Sequence, residues 1–260
     1  MSEHSSDKSV FAPELLESLA HEAHVWYCNP QAVADSGRLA DLQSVLSDNE
    51  RSQFQRFHFK NDQHNYLVSH ALLRKALSLY DVETQPDEWV FAAGAHGKPG
   101  LNMALTSVPL QFNLTHTDGL CACVITREIS CGIDVEQVAR NNKLMPIAQR
   151  MFARAELAIL RNQEDDDMRR AFFSFWTLRE AYVKALGSGL SGSSKAFHFE
   201  IAGVDADDPA TAVIRFDDIN QPGTDEWQFE IFQHDTQHVM ATALHTMGNH
   251  RAIRWRYVEP

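Results

Sequence analysis

The spacing of hydrophobic residues along the chain predicts a mixed α/β (α+β) fold. Apolar side chains three and four positions apart predict helices over 39–46, 65–80, 144–161 and 171–186, the last ended by Gly187. Short apolar or alternating runs predict strands at 25–28, 89–93, 110–113 and 120–125. Further alternating runs predict strands at 197–202, 212–216, 227–233, 238–244 and 253–258. The C-terminal part is therefore expected to be rich in sheet.

Composition narrows the class of protein. With 260 residues, of which 44% are hydrophobic, the chain can bury a large core in one domain or two smaller ones. A formal net charge of −12 disfavours nucleic acid as a partner. The sequence has neither a long apolar run nor a signal-peptide pattern, so we expect no membrane association and a cytoplasmic location. The four cysteines lack C-x-x-C spacing and are expected to be buried thiols rather than metal ligands.

The helix over 171–186 carries charges where an amphipathic helix usually has none. At about 100° per residue, Glu180 and Lys184 share one edge of the apolar face, while Arg179 projects near its middle. Glu180 and Lys184 could simply form an exposed ion pair, which contributes only about 0.2–0.5 kcal/mol. The alternative is that these charges belong to a functional site.

A second pair of charges lies on the strand-like run from Cys131 to Glu136. Because side chains alternate along a strand, Asp134 and Glu136 point to one face and their neighbours to the other. Two carboxylates held this close repel each other unless a cation compensates them, and hard oxygen ligands suit Mg²⁺. A solvated strand face is the simpler alternative.

Two turn-like segments could contact phosphate. The segment 94–100 contains three glycines and Lys98, so its backbone could approach a ligand closely. The segment 115–119, with Thr115 and His116, is predicted to connect two strands and to offer a hydroxyl, an imidazole and free backbone amides. A loop histidine without a function is the alternative for His116. The acidic run at 164–167 is predicted to be a solvated link, because consecutive acids point in different directions.

Four short motifs, taken together and in order, resemble those of the 4′-phosphopantetheinyl transferases of the larger, surfactin-synthetase-activating type. They are H-G-K-P at 96–99, F-N-L-T-H at 112–116, G-I-D-V-E at 132–136 and W-T-L-R-E-A-Y-V-K-A at 176–185. The resemblance implies a monomer of two similar α/β halves related by pseudo-twofold symmetry. We place these halves at 14–127 and 128–260, with coenzyme A and Mg²⁺, or Mn²⁺, in the cleft between them.

The resemblance also implies roles for individual residues. It makes Asp134, Glu136 and Glu180 the metal ligands, with Glu180 also the base and Lys184 a contact to the pyrophosphate. The expected coenzyme A contacts are Lys98, Thr115 and His116, flanked by His96 and Asn113. Where the family often has a basic residue for the 3′-phosphate of coenzyme A, this chain has Gln53, and Arg51 is a substitute candidate.

The implied reaction is transfer of 4′-phosphopantetheine from coenzyme A to a serine of an apo acyl or peptidyl carrier protein, with release of 3′,5′-ADP. A protein that binds coenzyme A or a carrier protein without transfer is the main alternative, against which the retained carboxylates argue. A second alternative is another Mg²⁺-dependent phosphoryl-transfer or hydrolytic enzyme. It would need a positioned water in place of the serine.

Overall fold

A computed structural model describes residues 11–36, 38–94, 97–102, 106, 108–139, 143–187, 195–203, 209–217 and 223–259. The helices in these ranges are α1 Phe11–Ser18, α2 Pro30–Ser36, α3 Leu39–Ser44, α4 Asp48–Phe54, α5 Lys60–Leu77, α6 Leu144–Met151, α7 Arg154–Arg161 and α8 Asp165–Leu186. The strands are β1 Glu22–Cys28, β2 Phe91–Ala93, β3 Pro99–Leu101, β4 Leu110–Thr117, β5 Leu120–Arg127, β6 Cys131–Gln137, β7 Phe197–Ala202, β8 Ala210–Phe216, β9 Trp227–Gln233, β10 His238–His245 and β11 Ala252–Tyr257. The predicted mixed α+β fold is confirmed.

The larger strands form two sheets, with strand orders β11-β1-β5-β4 and β6-β10-β9-β8-β7. The pairing is antiparallel except between β1 and β11, which run parallel. The strand at the end of the chain was predicted, but its place in the first sheet, beside β1, was not. Because β11 follows the second sheet in sequence, the chain returns to the first half after the second is complete.

The two sheets face each other across an apolar layer, and one long helix covers the outer side of each. Side chains of β1 and β5, such as Val25 and Val124, meet Ile133 of β6 and Met240 of β10 in this layer. On the outer side of the first sheet, α5 buries its apolar residues, and α8 does the same on the second. Such layers arise because each strand alternates its side chains between the two faces of its sheet. The four cysteines are buried and unpaired, as expected.

The helical region 144–161 consists of two helices, not the single helix that its periodicity predicts. Phe152 is extended, with φ −99° and ψ 151°, and it ends α6. Its ring is buried against Phe172 and Phe175 of α8. Glu156 then accepts a hydrogen bond from the Ala153 amide at 3.0 Å, which helps to start α7. Burial of Phe152 therefore coincides with the break in the helical pattern.

The acidic run is exposed to solvent, as the sequence suggests, but it is part of a helix rather than a link. Asp165, Asp166 and Asp167 form the first turn of α8. Carboxylates are favourable at this end of a helix because its unpaired amides carry partial positive charge. At the other end, Gly187 adopts a left-handed conformation with φ +67°, and its amide donates to the Val183 carbonyl, so the predicted stop is confirmed. None of the helices in the described ranges is long and apolar enough to cross a bilayer.

The long helix on each sheet forms a buried ion pair with a short helix. On the first sheet, Glu50 of α4 accepts from the Arg74 guanidinium of α5 at 2.7 Å and from the His70 ring at 2.9 Å. Burial alone would raise the pKa of Glu50, but His70, the Ser47 amide and Arg74 together lower it to about 2. The Arg74 guanidinium also lies over the Phe91 ring.

The long helix on the second sheet forms a similar ion pair with different residues. Glu156 of α7, which is fully buried, accepts from the Arg179 guanidinium of α8. That guanidinium lies over the Phe197 ring at 4.6 Å and donates to the Phe197 carbonyl at 3.2 Å. The sequence placed Arg179 on the apolar face of its helix without showing its partner. Both long helices are therefore joined to a short helix through a buried glutamate–arginine pair.

Candidate active site

A glycine brings the two charged motifs together. A Cβ atom on Gly132 of β6 would lie 2.0 Å from the Ala181 carbonyl oxygen and 2.6 Å from the Ala185 amide nitrogen of α8. Any other residue at this position would push the helix away from the strand. The absence of a side chain therefore allows α8, which carries Glu180 and Lys184, to lie directly on the strand that carries Asp134.

Lys184 and Asp134 form the centre of the site. The Lys184 ammonium donates to Asp134 Oδ1 at 2.7 Å, and it also reaches the Ile133 carbonyl at 3.1 Å and Thr115 Oγ1 at 3.3 Å. Thr115 Oγ1 lies 3.4 Å from the same carboxylate oxygen. The other oxygen, Asp134 Oδ2, is buried and has no hydrogen-bond partner among the residues whose positions are described. The simple exposed i,i+4 pair of Glu180 with Lys184 is therefore not what the structure forms.

The carboxylates at this site are costly to ionise. Burial raises the pKa of Asp134, and the Lys184 ammonium only partly opposes this effect. Burial also raises the pKa of Glu180; repulsion by Asp134 raises it further, while Lys184 lowers it. The repulsion by Asp134 indicates that the two carboxylates lie near each other. A cation beside them would remove this cost.

The residues present suit a hard cation, although they do not form a closed cage. Within the described part of the chain, no three histidine, cysteine or carboxylate side chains converge as a preformed metal cluster. Glu136 is half-buried, two residues beyond Asp134 on β6. Mg²⁺ usually binds through one or two carboxylates together with substrate phosphates and retained water. The partnerless oxygen of Asp134 and the nearby Glu180 carboxylate match this open type of site.

The first half contributes strand β4, which differs from the predicted turn. Thr115 and His116 belong to β4 and pair in register with Ala122 and Cys121 of β5, so their backbone is part of a sheet. The turn is confined to Asp118 and Gly119. The prediction of a turn over 115–119 is therefore wrong for 115–117, where the ladder with β5 continues through Thr117. The side chains remain available: the His116 ring is exposed, and Thr115 already contacts the Lys184–Asp134 pair.

The His116 ring is exposed to solvent on part of its surface, and neighbouring protein atoms and charges still affect its ionisation. Desolvation lowers its pKa, and the nearby His70 and Lys184 lower it further. The ring is therefore neutral at pH 7 and can donate one hydrogen bond without carrying a charge. Asn113 lies on the same strand, and its Oδ1 accepts from the Ile133 amide at 2.9 Å. Asn113 thus joins β4 of the first sheet to β6 of the second sheet.

The remaining predicted coenzyme A contacts are Lys98, Arg51 and His96. The Lys98 ammonium donates to the Cys131 carbonyl at 2.9 Å and to the Ala185 carbonyl at 3.2 Å, and burial lowers its pKa. Lys98 therefore joins its loop to the start of β6 and the end of α8. The Arg51 guanidinium donates to the Gln43 and Ser44 carbonyls and to the Asp48 carboxylate. His96 lies outside the described residues.

Comparison with known proteins gives matches over most of the chain. Residues 130–244 match the family model described as the 4′-phosphopantetheinyl transferase superfamily. Residues 34–128 match the model described as 4′-phosphopantetheinyl transferase, N-terminal. The 4′-phosphopantetheinyl transferase HetI of Nostoc sp. is 32% identical, over 69% of this chain and 74% of the relative.

Two further matches cover less of this chain. The 4′-phosphopantetheinyl transferase Sfp of Bacillus subtilis is 27% identical, over 57% of this chain and 63% of Sfp. Among solved structures, a holo-(acyl-carrier-protein) synthase from Bacillus anthracis in complex with CoA (3′,5′-ADP) matches with a TM-score of 0.36 and 16% identity. That match covers 45% of this chain and 95% of the synthase.

Proposed function

This chain belongs to the 4′-phosphopantetheinyl transferases, and from this premise we propose how its residues divide the work of transferring phosphopantetheine from coenzyme A to a carrier protein. We assign Asp134, Glu136 and Glu180 to a divalent cation, Mg²⁺ or Mn²⁺. Lys184 and His116 are assigned to the phosphates of coenzyme A. Glu180 is also assigned as the base for the accepting serine.

One observation carries the metal assignment. Asp134 keeps a buried carboxylate oxygen without a partner while its other oxygen is neutralised by Lys184. An unpaired buried acceptor costs roughly 1–3 kcal/mol, and a cation bound at Asp134 would remove this cost. A bound cation would supply charge neutralisation for the phosphoryl group in transfer and for the departing 3′,5′-ADP.

The chain's own residues account for the remaining steps. Lys184 is held by three acceptors on β4 and β6, so its ammonium is positioned before a phosphate arrives. The raised pKa of Glu180 makes its carboxylate a stronger proton acceptor than an exposed glutamate, as removal of a serine proton requires. The neutral His116 ring can donate to a phosphate oxygen. Positioning and electrostatics of this kind supply most of the catalysis in phosphoryl transfer.

The assignment of the cation can be tested without measuring transfer. When Mn²⁺ is added to the protein and coenzyme A, binding should decrease the electron paramagnetic resonance signal of free Mn²⁺. Asp134→Asn should bind at least about tenfold more weakly, because a neutral amide replaces the buried anion. The matched variant Asp217→Asn changes an exposed aspartate outside the site and should bind Mn²⁺ like the parent. Equal binding by both variants would remove Asp134 from the metal site.

His116 should contribute mainly to coenzyme A binding. Replacing His116 with alanine removes a hydrogen bond to a group that is charged before and during the reaction, so the Michaelis constant should rise by about tenfold while kcat changes little. Steady-state kinetics with coenzyme A as the varied substrate would measure the effect, with the exposed His250→Ala variant as control. An unchanged Michaelis constant for His116→Ala would exclude this contact.

The exposed face of α6 and α7 is the proposed docking surface for an acidic carrier protein. Arg150, Arg154 and Arg161 are exposed there. Glu156 is the one acidic residue of α7, but it is buried and paired with Arg179, so it does not offset their charge at the surface. The surface is therefore locally basic on a chain of net charge −12, and it can attract an acidic partner at short range.

Reversing two of these charges should weaken carrier recognition alone. Arg150→Glu/Arg154→Glu is expected to raise the Michaelis constant for an acidic carrier protein about tenfold at low salt, less at high salt, and to leave that for coenzyme A unchanged. The control Arg215→Glu/Arg254→Glu makes the same change in net charge on exposed strands elsewhere. Kinetics at two ionic strengths would separate them. If both double variants behave alike, net charge rather than this surface governs the encounter.

The proposal also covers the oligomeric state, the location and the partners of the protein. Residues from both proposed halves, 14–127 and 128–260, meet in one chain at Thr115, Asp134 and Lys184, so a monomer contains the site. We place the enzyme in the cytoplasm, acting on coenzyme A and an acyl or peptidyl carrier protein, without nucleic acid or membrane as partner.

A further inference from the structure

The strand that carries Thr115 and His116 lies at the edge of its sheet. In the order β11-β1-β5-β4, the described strands leave β4 with one neighbour, β5. Its contact with the centre of the proposed site is long, because Thr115 Oγ1 lies 3.3 Å from the Lys184 ammonium and 3.4 Å from Asp134 Oδ1. The position of β4 relative to the second sheet therefore depends on the contacts before and after Thr115.

Two shorter hydrogen bonds to the second sheet hold β4 on either side of this contact. Before it, Asn113 Oδ1 accepts from the Ile133 amide of β6 at 2.9 Å. After it, the Asp118 carbonyl accepts from Nε2 of His238, the first residue of β10, at 2.7 Å. The Asp118 carboxylate also accepts from Asn61 of α5. The turn that ends β4 is therefore held from two directions, and His238 holds it from the second sheet.

The His238 ring is fixed in its orientation. Its Nδ1 lies 3.0 Å from Asp235 Oδ2, while Asp235 Oδ1 accepts from the Gln237 and His238 amides at 2.7 Å each. A Cβ atom on Gly119, which has φ +84°, would lie 3.1 Å from the ring, so a side chain at this position would crowd it. Because both ring nitrogens face oxygen acceptors, both hydrogen bonds form together only when the ring carries two protons.

Asp235 provides the counter-charge for this ring. Burial alone would raise the pKa of Asp235, but hydrogen bonds from the His238 ring and the Gln237 amide lower it below its ordinary value. The His238 side chain is only 7% exposed, so its charge depends on this partner rather than on water. A charged donor makes a stronger hydrogen bond than a neutral one, which makes the bond to the Asp118 carbonyl a strong contact between the sheets.

We propose that His238 is a positioning residue that places His116 for its contact with coenzyme A. The bond from His238 fixes the Asp118 carbonyl, two residues beyond His116, at the turn where the ladder with β5 ends. Two residues of extended chain leave little freedom, so a shift of the turn would also move the His116 ring. In this role His238 acts through His116 and makes no contact of its own with coenzyme A. The inference rests on the proposed function, in which His116 contacts a phosphate.

Two substitutions separate the bond to Asp118 from the charge of the ring, which both remove. Glutamine can place its amide nitrogen where Nε2 lies and keep the bond, whereas asparagine is one methylene shorter and reaches only toward Asp235. His238→Asn is expected to raise the Michaelis constant for coenzyme A about tenfold and to change kcat by less than about threefold. His238→Gln should stay within about twofold of the parent in both constants. His245→Asn, the same change at the other end of β10, is the matched control and should behave like the parent.

A double-variant cycle tests whether His238 acts through His116. If it does, the two losses overlap, and His116→Ala/His238→Asn should have a Michaelis constant for coenzyme A within about twofold of that of His116→Ala. Independent effects would instead multiply to a rise of about a hundredfold over the parent. A residue that only stabilised the fold would not show this overlap.

Hydrogen exchange measures the bond to the turn without any transfer reaction. The amides of residues 117–120 should exchange about tenfold faster in His238→Asn than in His238→Gln, because the turn opens more easily without the bond. Mass spectrometry of peptides that cover this segment would measure the rates. Equal rates in the two variants would overturn the inference.

The kinetic outcomes separate this inference from the proposed function. The inference is wrong if His238→Asn leaves the Michaelis constant for coenzyme A unchanged, if His238→Gln weakens binding equally, or if the effects of the double variant multiply. An unchanged Michaelis constant for His116→Ala alone would instead refute the phosphate contact in the proposed function. If the unsubstituted protein transfers no phosphopantetheine, the proposed function is refuted, while calorimetric affinities for coenzyme A and the exchange rates still decide the role of His238.

Discussion

Replacing Asp134 with asparagine is expected to lower the rate of transfer by at least about 10³-fold while leaving the fold intact. The substitution keeps the shape of the side chain and removes the charge beside Lys184. Stabilisation of developing phosphoryl charge by a cation and its ligands is worth several kcal/mol, and each 1.4 kcal/mol changes the rate tenfold. Intact-protein mass spectrometry of the carrier over time would measure the rate. Asp217→Asn should retain the parental rate.

The stability of the same variant should depend on pH in a defined direction. Because burial raises the pKa of Asp134 in the folded state, ionisation of this group opposes folding. The stabilising effect of the protonated group is therefore fully present below its pKa in the unfolded chain, near 3.9. It is lost as the pH rises through the higher pKa in the folded protein. Asparagine does not titrate. With a chelator present, the free energy of unfolding measured with denaturant should thus increase for Asp134→Asn, relative to the parent, between pH 4 and pH 8. A relative loss over this range would mean that the bond to Lys184 outweighs burial.

Replacing Glu156 with glutamine is expected to cost about 3–5 kcal/mol of folding free energy, because it leaves the buried Arg179 guanidinium without its counter-charge. The carboxylate also accepts from the Phe199 amide at 3.0 Å and the Ala153 amide, so it joins β7, α7 and α8. Equilibrium unfolding in urea would measure the loss. An effect below about 1 kcal/mol would show that the pair contributes little.

A second variant separates lost charge pairing from lost packing. In Glu156→Gln/Arg179→Met no unpaired charge remains, while the glutamine can still accept a backbone hydrogen bond. The double variant should therefore be less destabilised than Glu156→Gln alone. Glu50→Gln, which leaves Arg74 unpaired in the first half, should cost a similar amount. If the double variant is the least stable of the three, packing around Arg179 is the dominant contribution.

Local patterns in the sequence predicted those features that depend on near neighbours. The 3.6-residue periodicity of α8 placed Glu180 and Lys184 on one edge of its apolar face. The alternation of β6 placed Asp134 on the same strand face as Glu136. The position of Arg179 on an apolar face suggested a role in a functional site. Its pairing with Glu156 could not be predicted, because Glu156 is 23 residues away on another helix.

Features that depend on tertiary packing escaped prediction. The break after α6 follows from burial of Phe152 among rings of α8, and the same apolar spacing would suit one continuous helix. The pairing of β11 with β1 joins segments more than 200 residues apart, which no local pattern records. Lys98 looked like a free cation on a glycine-rich loop, yet its ammonium bonds to two backbone carbonyls. The chemistry of a side chain can be inferred from sequence, but its partners depend on the fold.

The most direct measurement for this account is mass spectrometry of an apo carrier protein incubated with the protein, coenzyme A and Mg²⁺. We predict that the carrier gains the mass of one phosphopantetheine group at a serine, that 3′,5′-ADP appears in equal amount, and that a chelator prevents both. An unmodified carrier in the presence of bound coenzyme A would indicate a binding protein without transfer. An unmodified carrier together with hydrolysed coenzyme A would indicate that water, not serine, is the acceptor, and either result would contradict the account.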